Sequence, residues 1–339
     1  MPSQPSTTLT EGINLVIPRV RTTGLQSSYS DIILDLEVTR QDISDAATRI
    51  GPHVRRTPVI NLGGVLESGF NLSLKMDHTQ PTGSFKVRGA FSLLTAAEPQ
   101  NGVAAASGGN FGIAVAHACL KLGYEATIFV PETSPSEKID RIRDHAEVRI
   151  IPGYYQEALA ECERFVADTG AFMAHAYDQS EVVAGQGTAA KEILEQVPDV
   201  DAILVAVGGG GLIGGIASWC RDDVKVIAAE PESCSSFHAA RHAGKPVKVE
   251  VGGVASSSLG ASMIGDHAWY ANRWVDDSVL VTDTEIISAQ HMLWETVKLA
   301  VEPSAATTMA ALLANAYRPQ QGEHVVALLS GANFDPSTL

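Results

Sequence analysis

Lys86 is the residue around which chemistry can be built. It stands in Gln80-Pro81-Thr82-Gly83-Ser84-Phe85-Lys86-Val87-Arg88-Gly89-Ala90, a run with no other charge before Arg88. Pro81 and Gly83 predict a turn. The apolar positions Phe85, Val87, Ala90, Phe91 and Leu93 predict a helix from near Ser84, with Ser84 as its N-cap. An ammonium at the start of a core-facing helix is costly to bury. Desolvation lowers its pKa, and the neutral amine is a nucleophile that condenses with aldehydes. The competing arrangement, commoner for a lone lysine, lays the stem on apolar surface and keeps the charged head in water.

Three further stretches carry polar or small residues suited to ligands. Gly208-Gly209-Gly210-Gly211 precedes an apolar helical run, and consecutive glycines there let backbone N–H groups converge on a phosphate. No Lys-Ser/Thr follows, so this is not a nucleotide P-loop. The run does contain Gly-x-Gly-x-x-Gly at Gly209, Gly211 and Gly214, with Glu230 ending the next strand. That imitates a dinucleotide fingerprint and gives a second function class, a nicotinamide-dependent oxidoreductase built on Gly209–Gly214. Ser107-Gly108-Gly109-Asn110 is a polar turn suited to a carboxylate or phenolic oxygen, or simply an N-cap. Ser330 is a hydroxyl at a strand end. The ten histidines show no metal-ligand spacing, so no metal centre is expected.

The elements that must position these residues alternate. Strands are predicted at Thr57–Ile60, Leu72–Met76, Gly102–Ala106, Ala126–Val130, Val148–Ile151, Ala202–Val207, Val224–Ala229 and Val325–Ser330. Helices are predicted from Thr39 or Asp42 to Ile50, over Phe111–Leu122, from Ser136, over Tyr155–Thr169, Leu212–Cys220 and Thr284–Leu299. This implies an α/β protein of open parallel sheets covered by helices, with ligands at the carboxyl ends of the strands. Four strands end in Ser107–Gly112, Gly208–Gly215, Glu230-Pro231 and Ser330–Asn333, and their agreement outweighs any one motif.

The 339 residues are 45% hydrophobic and 19% charged, enough for a large core and two lobes. A net charge of −15 argues against nucleic acid or anionic membrane as partner. No apolar run approaches a membrane span. Cys119, Cys162, Cys220 and Cys234 are far apart and read as reduced thiols of a cytoplasmic protein. Residues 1–35, rich in Ser, Thr and Pro, read as an extension without a secretory signal; Leu15–Ile17 could pack on a partner subunit.

Taken together, Pro81–Ala90, Ser107–Asn110, Ala184-Gly185-Gln186-Gly187-Thr188, Gly208–Gly211 and Ser330-Gly331-Ala332-Asn333 resemble the serine/threonine dehydratases. These are pyridoxal phosphate enzymes of the tryptophan-synthase-β-like fold (fold type II). The resemblance runs from about Leu36 to the C-terminus, and the absence of a regulatory domain after Leu339 suggests an unregulated type. It implies two lobes, a large one over 36–100 and 179–339 and a small one over 101–178 that closes on the substrate. It also implies a homodimer.

Carried over by resemblance, Lys86 holds the cofactor as a Schiff base and removes the substrate Cα proton. Phe85 packs by the ring and Asn110 meets the 3′-oxygen. Gly208, Gly209, Gly210, Gly211 and Leu212 bind the phosphate. Ser330 meets the pyridine nitrogen, leaving it largely neutral. Thr82, Ser107, Gly108 and Gly109 hold the substrate carboxylate, and Tyr177 and Asp178 fall near the substrate pocket. The implied reaction is β-elimination of L-threonine or L-serine to 2-oxobutyrate or pyruvate and ammonia, with the leaving hydroxyl protonated by the cofactor phosphate. Another β-hydroxy amino acid, such as 3-hydroxyaspartate, fits the same motifs. Racemase relatives carry a second serine at the position of Gly108, so its absence argues against racemisation. Relatives with a divalent cation use an acid at the position of Glu230 and another six residues on; here that later position is Ser236.

Overall fold

A computed structural model describes residues 36–63 and 69–339. The expectations for 1–35, including the packing of Leu15–Ile17, lie outside the described residues. The described helices are α1 (Arg40–Ile50), α2 (Lys86–Ala97), α3 (Asn110–Leu122), α4 (Ser136–Arg143), α5 (Tyr155–Thr169), α6 (Ser180–Gln196), α7 (Gly211–Cys220), α8 (Ser236–Ala243), α9 (Ser256–Leu259), α10 (Asp266–Ala271), α11 (Asp283–Met292) and α12 (Pro303–Leu313). The strands are β1 (Val59–Asn61), β2 (Asn71–Lys75), β3 (Val103–Ala106), β4 (Ala126–Pro131), β5 (Glu147–Ile151), β6 (Phe172–Met173), β7 (Ala202–Ala206), β8 (Lys225–Pro231), β9 (Asp277–Val281) and β10 (His324–Leu328).

The strands form two sheets. One has the order β1-β2-β10-β7-β8-β9 and the other β5-β4-β3-β6. The smaller sheet is parallel throughout and draws all its strands from Val103 to Met173. The larger is parallel except at one edge, where β1 runs antiparallel to β2, a departure from the all-parallel expectation. A short link from β1 to β2 permits the hairpin direction there, whereas every other neighbour needs a helical crossover. β10, last in sequence, sits between β2 and β7 in the middle of the sheet.

Local sequence explains the start of the fold. Thr39 caps α1 in a box with Asp42: Asp42 N donates to Thr39 Oγ1 at 3.2 Å and Thr39 N to Asp42 Oδ2 at 2.8 Å. Ile43, Ala46 and Ile50 then face the core. β7 and β10 are buried along their whole length, as central parallel strands covered on both faces must be. The turns after β3, β7 and β10 converge on one cleft, the place such sheets offer to ligands.

Candidate active site

Lys86 opens α2. Phe85 takes the N-cap position, not Ser84, and no side chain caps this helix. Ser84 pairs instead with Gly331 in an isolated antiparallel bridge, and Phe85 N donates to Ser330 O at 2.9 Å. Pairing with the chain after β10 ties Ser84 to Gly331, so the cap moves one residue on from the sequence expectation and Lys86 is the first residue of the helix. Lys86 Nζ donates to Ala176 O at 2.9 Å and lies 5.2 Å from the Phe85 ring and 5.8 Å from that of Phe111. Burial pulls its pKa down to about 8, with the Glu302 carboxylate pulling the other way. Its head is therefore turned inward onto a backbone carbonyl rather than carried out into water.

The helix that carries it is anchored from below. Arg88 is fully buried and uses all five donors. Nε and Nη2 reach Asp77 at 2.7 and 2.8 Å; Nη1 and Nη2 reach Glu192 at 2.7 and 2.9 Å; Nη1 also reaches Thr188 Oγ1 at 3.1 Å. Lys75 Nζ joins Glu192 at 2.6 Å, so two cations face two anions. Burial opposes the charge on Asp77, yet Arg88 holds its carboxyl below the usual range.

Phe85, Lys86, Asn110, Gly208, Gly209, Gly210, Gly211, Leu212 and Ser330 all line one cavity. Every residue assigned to the cofactor is thus brought together. Gly210 adopts φ +95° as N-cap of α7, a left-handed geometry suited to glycine. The first turn of α7 offers its unpaired N–H groups to the cavity. Side chains are excluded here for space as well: a Cβ on Gly209 would lie 2.3 Å from the Tyr177 ring. The Ser330 hydroxyl has no protein partner among the described residues, and Ser304 Oγ, also on the cavity wall, is buried without one. An amine, a cluster of backbone N–H groups and unpartnered hydroxyls fit an aldehyde-bearing aromatic phosphate.

Three polar lining residues escaped the sequence reading: Ser258, Glu302 and Ser304. Glu302 Oε1 accepts from Asn110 Nδ2 at 2.7 Å, and Oε2 accepts from Ser258 Oγ at 3.2 Å, with Lys138 Nζ 3.6 Å away. Asn110 Nδ2 also lies 3.5 Å from Ser258 Oγ, and Asn333 Nδ2 donates to Asn110 Oδ1 at 2.8 Å, so the Asn110 amide is fixed from both sides. The signal available for Glu302 and Ser304 was Pro303, which sits at the first position of α12 as prolines opening helices do.

The four substrate-side residues lie beside the cavity rather than on its wall. Ser107 Oγ accepts from Gly112 N at 3.0 Å and Gly109 N at 3.3 Å, shaping the loop that starts α3. Gly109 is the N-cap of α3. Thr82 Oγ1 is buried without a partner, while Thr82 O accepts from Asn333 Nδ2 at 2.9 Å. A Cβ on Gly108 would lie 1.8 Å from Ser134 Oγ, so the hydroxyl of Ser134 already fills that space. Asp178 Oδ1 accepts from His267 N at 3.1 Å.

The Glu230 carboxyl turns to the backbone at the start of α8. It accepts from Phe237 N at 2.9 Å and His238 N at 2.7 Å, and Ser236 Oγ donates to Gly208 O at 2.9 Å. Among the described residues no group of three or more His, Cys, Asp or Glu is arranged to hold a metal. Burial pushes the Glu230 carboxyl up to about 8, against the two N–H donors. From the ordinary value of 4.5 up to about 8, the folded state therefore keeps a proton that the unfolded chain has lost. Its contribution to stability is complete below that window and falls as pH rises through it. Replacing Glu230 with Gln is expected to flatten this fall. Melting temperatures from about pH 5 to about pH 9 should show the variant gaining on the wild type; parallel curves would refute it.

Residues 50–331 match the family model described as "Pyridoxal-phosphate dependent enzyme". The chain is 36% identical over 307 residues to an L-threonine ammonia-lyase of Geobacter sulfurreducens, covering 88% of this chain and 76% of that one. It is 34% identical over 310 residues to a serine racemase of Arabidopsis thaliana, covering 88% and 93%. Among solved structures, maize serine racemase superposes with a TM-score of 0.85 at 32% identity, covering 89% and 95%. A T.th. threonine deaminase does so with 0.82 at 33% identity, covering 88% and 99%. These neighbours share the tryptophan-synthase-β-like fold, and their cofactor displaces the nicotinamide reading of Gly209–Gly214. A lysine at the cleft, a glycine-rich helix start across from it and this match over most of the sequence give one conclusion: the chain belongs to the pyridoxal-phosphate-dependent enzyme family.

Proposed function

We propose that the protein is an ammonia-lyase that dehydrates a β-hydroxy amino acid, L-threonine or L-serine in the first instance, to 2-oxobutyrate or pyruvate and ammonia. The observation that carries this reading is the Lys86 amine, its pKa lowered to about 8 by burial, in a cavity whose other walls are the Gly208–Leu212 backbone and the Ser330 hydroxyl. When bound, pyridoxal phosphate supplies an aldehyde for the lysine and an electron-withdrawing ring for the charge left at Cα. Lys86 takes the α-proton, a task suited to an amine whose pKa is near ambient pH. The α7 N-terminus balances the phosphate charge, Asn110 orients the ring oxygen, and a hydroxyl at Ser330 leaves the ring nitrogen neutral. The Ser107–Asn110 loop and Thr82 hold the substrate carboxylate. The segment 101–178 would move as a small domain against 36–100 and 179–339, closing the cleft and excluding water.

A second reading is serine racemisation, favoured by one observation: Ser134 brings a hydroxyl to the place a side chain on Gly108 would occupy. One experiment separates the two. The purified protein should absorb at about 410–420 nm, and the band should shift on adding L-threonine or L-serine as 2-oxo acid accumulates. Loss of enantiomeric purity in recovered serine, without 2-oxo acid, would replace the first reading by the second. A band indifferent to both amino acids would reject both substrates.

A further inference from the structure

Helix α4, from its first turn at Lys138 to its last at Arg141, and the turn before it present three polar side chains beside the loop and turn assigned to the substrate. Ser134 Oγ lies against Gly108. Lys138 Nζ lies 3.3 Å from Ser258 Oγ and 3.6 Å from Glu302 Oε2. Arg141 donates from Nη2 to Thr82 O at 3.3 Å and from Nη1 to Asn333 Oδ1. The charge of Lys138 is answered by Glu302. That of Arg141 is not, since both its partners are neutral oxygens and no described carboxylate pairs with it.

The surroundings of Arg141 are rich in donors still unused. A guanidinium carries five N–H groups, and the contacts above occupy two of them. Thr82, whose carbonyl Arg141 touches, is 2% exposed, and its hydroxyl has no partner. The Ser134 hydroxyl has none either among the described residues. Donors without an acceptor, beside an unbalanced cation, form a site for an anion. The substrate's α-carboxylate accounts for the N–H groups of the Ser107–Asn110 loop other than those of Ser107 and Gly109, which donate to Phe129 O and Ser107 Oγ. Arg141 remains for a second negative group. A methyl or hydrogen on the β-carbon, as in threonine or serine, would leave that guanidinium unanswered when the cleft closes.

We infer that Arg141 is a specificity-determining residue that binds a second carboxylate, and that the preferred substrate is a β-hydroxy amino acid bearing a carboxylate on its β-carbon, the class of 3-hydroxyaspartate. The inference rests on the ammonia-lyase reading of the same site. Lys86 removes the α-proton, one proton and the β-hydroxyl leave the substrate as water, and the enamine that remains takes up water to give the 2-oxo dicarboxylate and ammonia, with the distal carboxylate intact on Arg141.

The test uses the cofactor-loaded wild type with R141A and R141K, each first checked for an unchanged melting temperature. Two quantities are measured: the ratio of kcat/KM for 3-hydroxyaspartate over threonine, and the affinity for succinate over butyrate by calorimetry. The wild type should favour the dicarboxylate in both. R141A should lower each ratio on the order of 100-fold, the size expected for loss of a charge-assisted pair, and R141K should recover part of it. Elimination from threonine or serine with ratios that R141A leaves unchanged would overturn the inference and keep the lyase reading. Arg141-dependent succinate binding with no elimination from any β-hydroxy amino acid would keep the dicarboxylate site and overturn the lyase reading.

Discussion

Replacing Lys86 with Ala removes both the covalent hold on the cofactor and the base, so no turnover above background is expected. The loss should exceed about 1,000-fold in kcat/KM, the range for removing a positioned acid–base group together with covalent attachment. The visible band of the wild type should vanish, while the melting temperature of the cofactor-free protein changes little, because only the stem of a half-buried side chain is deleted. A variant that keeps normal turnover would sink the assignment. The same amine sets a pH dependence. With its pKa near 8, the reactive neutral form gains as pH rises through that value, so cofactor loading of the cofactor-free protein should speed up across it. Glu302 raises this pKa, so E302Q should move the midpoint to lower pH; loading rates followed by absorbance against pH decide the sign.

Arg88→Ala should be the most destabilising single change near the site. It leaves Asp77 and Glu192 facing each other and Lys75 without the guanidinium that neutralises the cluster. Breaking a buried pair by removing one partner costs about 3–5 kcal/mol, because the remaining charge stays buried. Urea unfolding curves would measure this, and a loss below about 1 kcal/mol would show that the cluster is not held by charge. Arg88 lies two residues after Lys86 on the same helix, so any surviving protein should also load cofactor poorly.

The parts of the site legible in the sequence are those where small residues end an apolar strand. Gly208–Gly211 is small where ligand or backbone comes close, Ser107–Asn110 is polar where a helix opens beside the cavity, and Ser330 follows a strand buried at every residue. The capping pattern at Thr39 and Asp42 was readable because it is local. What was missed depends on tertiary context. Helix α12 is buried from Ser304 to Leu312, so no exposed face marks its period, and Pro303 marks where it starts but not that Glu302 before it faces the cavity. The predicted helix Thr284–Leu299 ends at Met292 and gives way to a wider turn over Leu293–Val297, closed by Lys298 at φ 60°. β6 has only two residues, and β9 begins with two polar ones, too little alternation to mark a strand. Ser84 has the right type for a cap, but its pairing with Gly331, near the far end of the chain, decides its conformation. Arg141 carries no motif at all; only the packing of α4 against Thr82 and Asn333 gives it meaning.

The central place of β10 in the larger sheet has a bearing on the order of assembly. Strands β2 and β7 are adjacent to β10 and not to each other, so until His324–Leu328 has been synthesised the sheet exists as two unjoined halves. Ser330, Gly331 and Asn333 follow that strand directly and supply the backbone partner of Ser84, the acceptor for Phe85 N and one brace of Asn110. The pocket is therefore closed by the same event that joins the halves. Maturation is gated by contacts between distant parts of the chain, which are the slowest kind to form, and resistance to proteolysis and capture of the cofactor should appear together rather than in sequence.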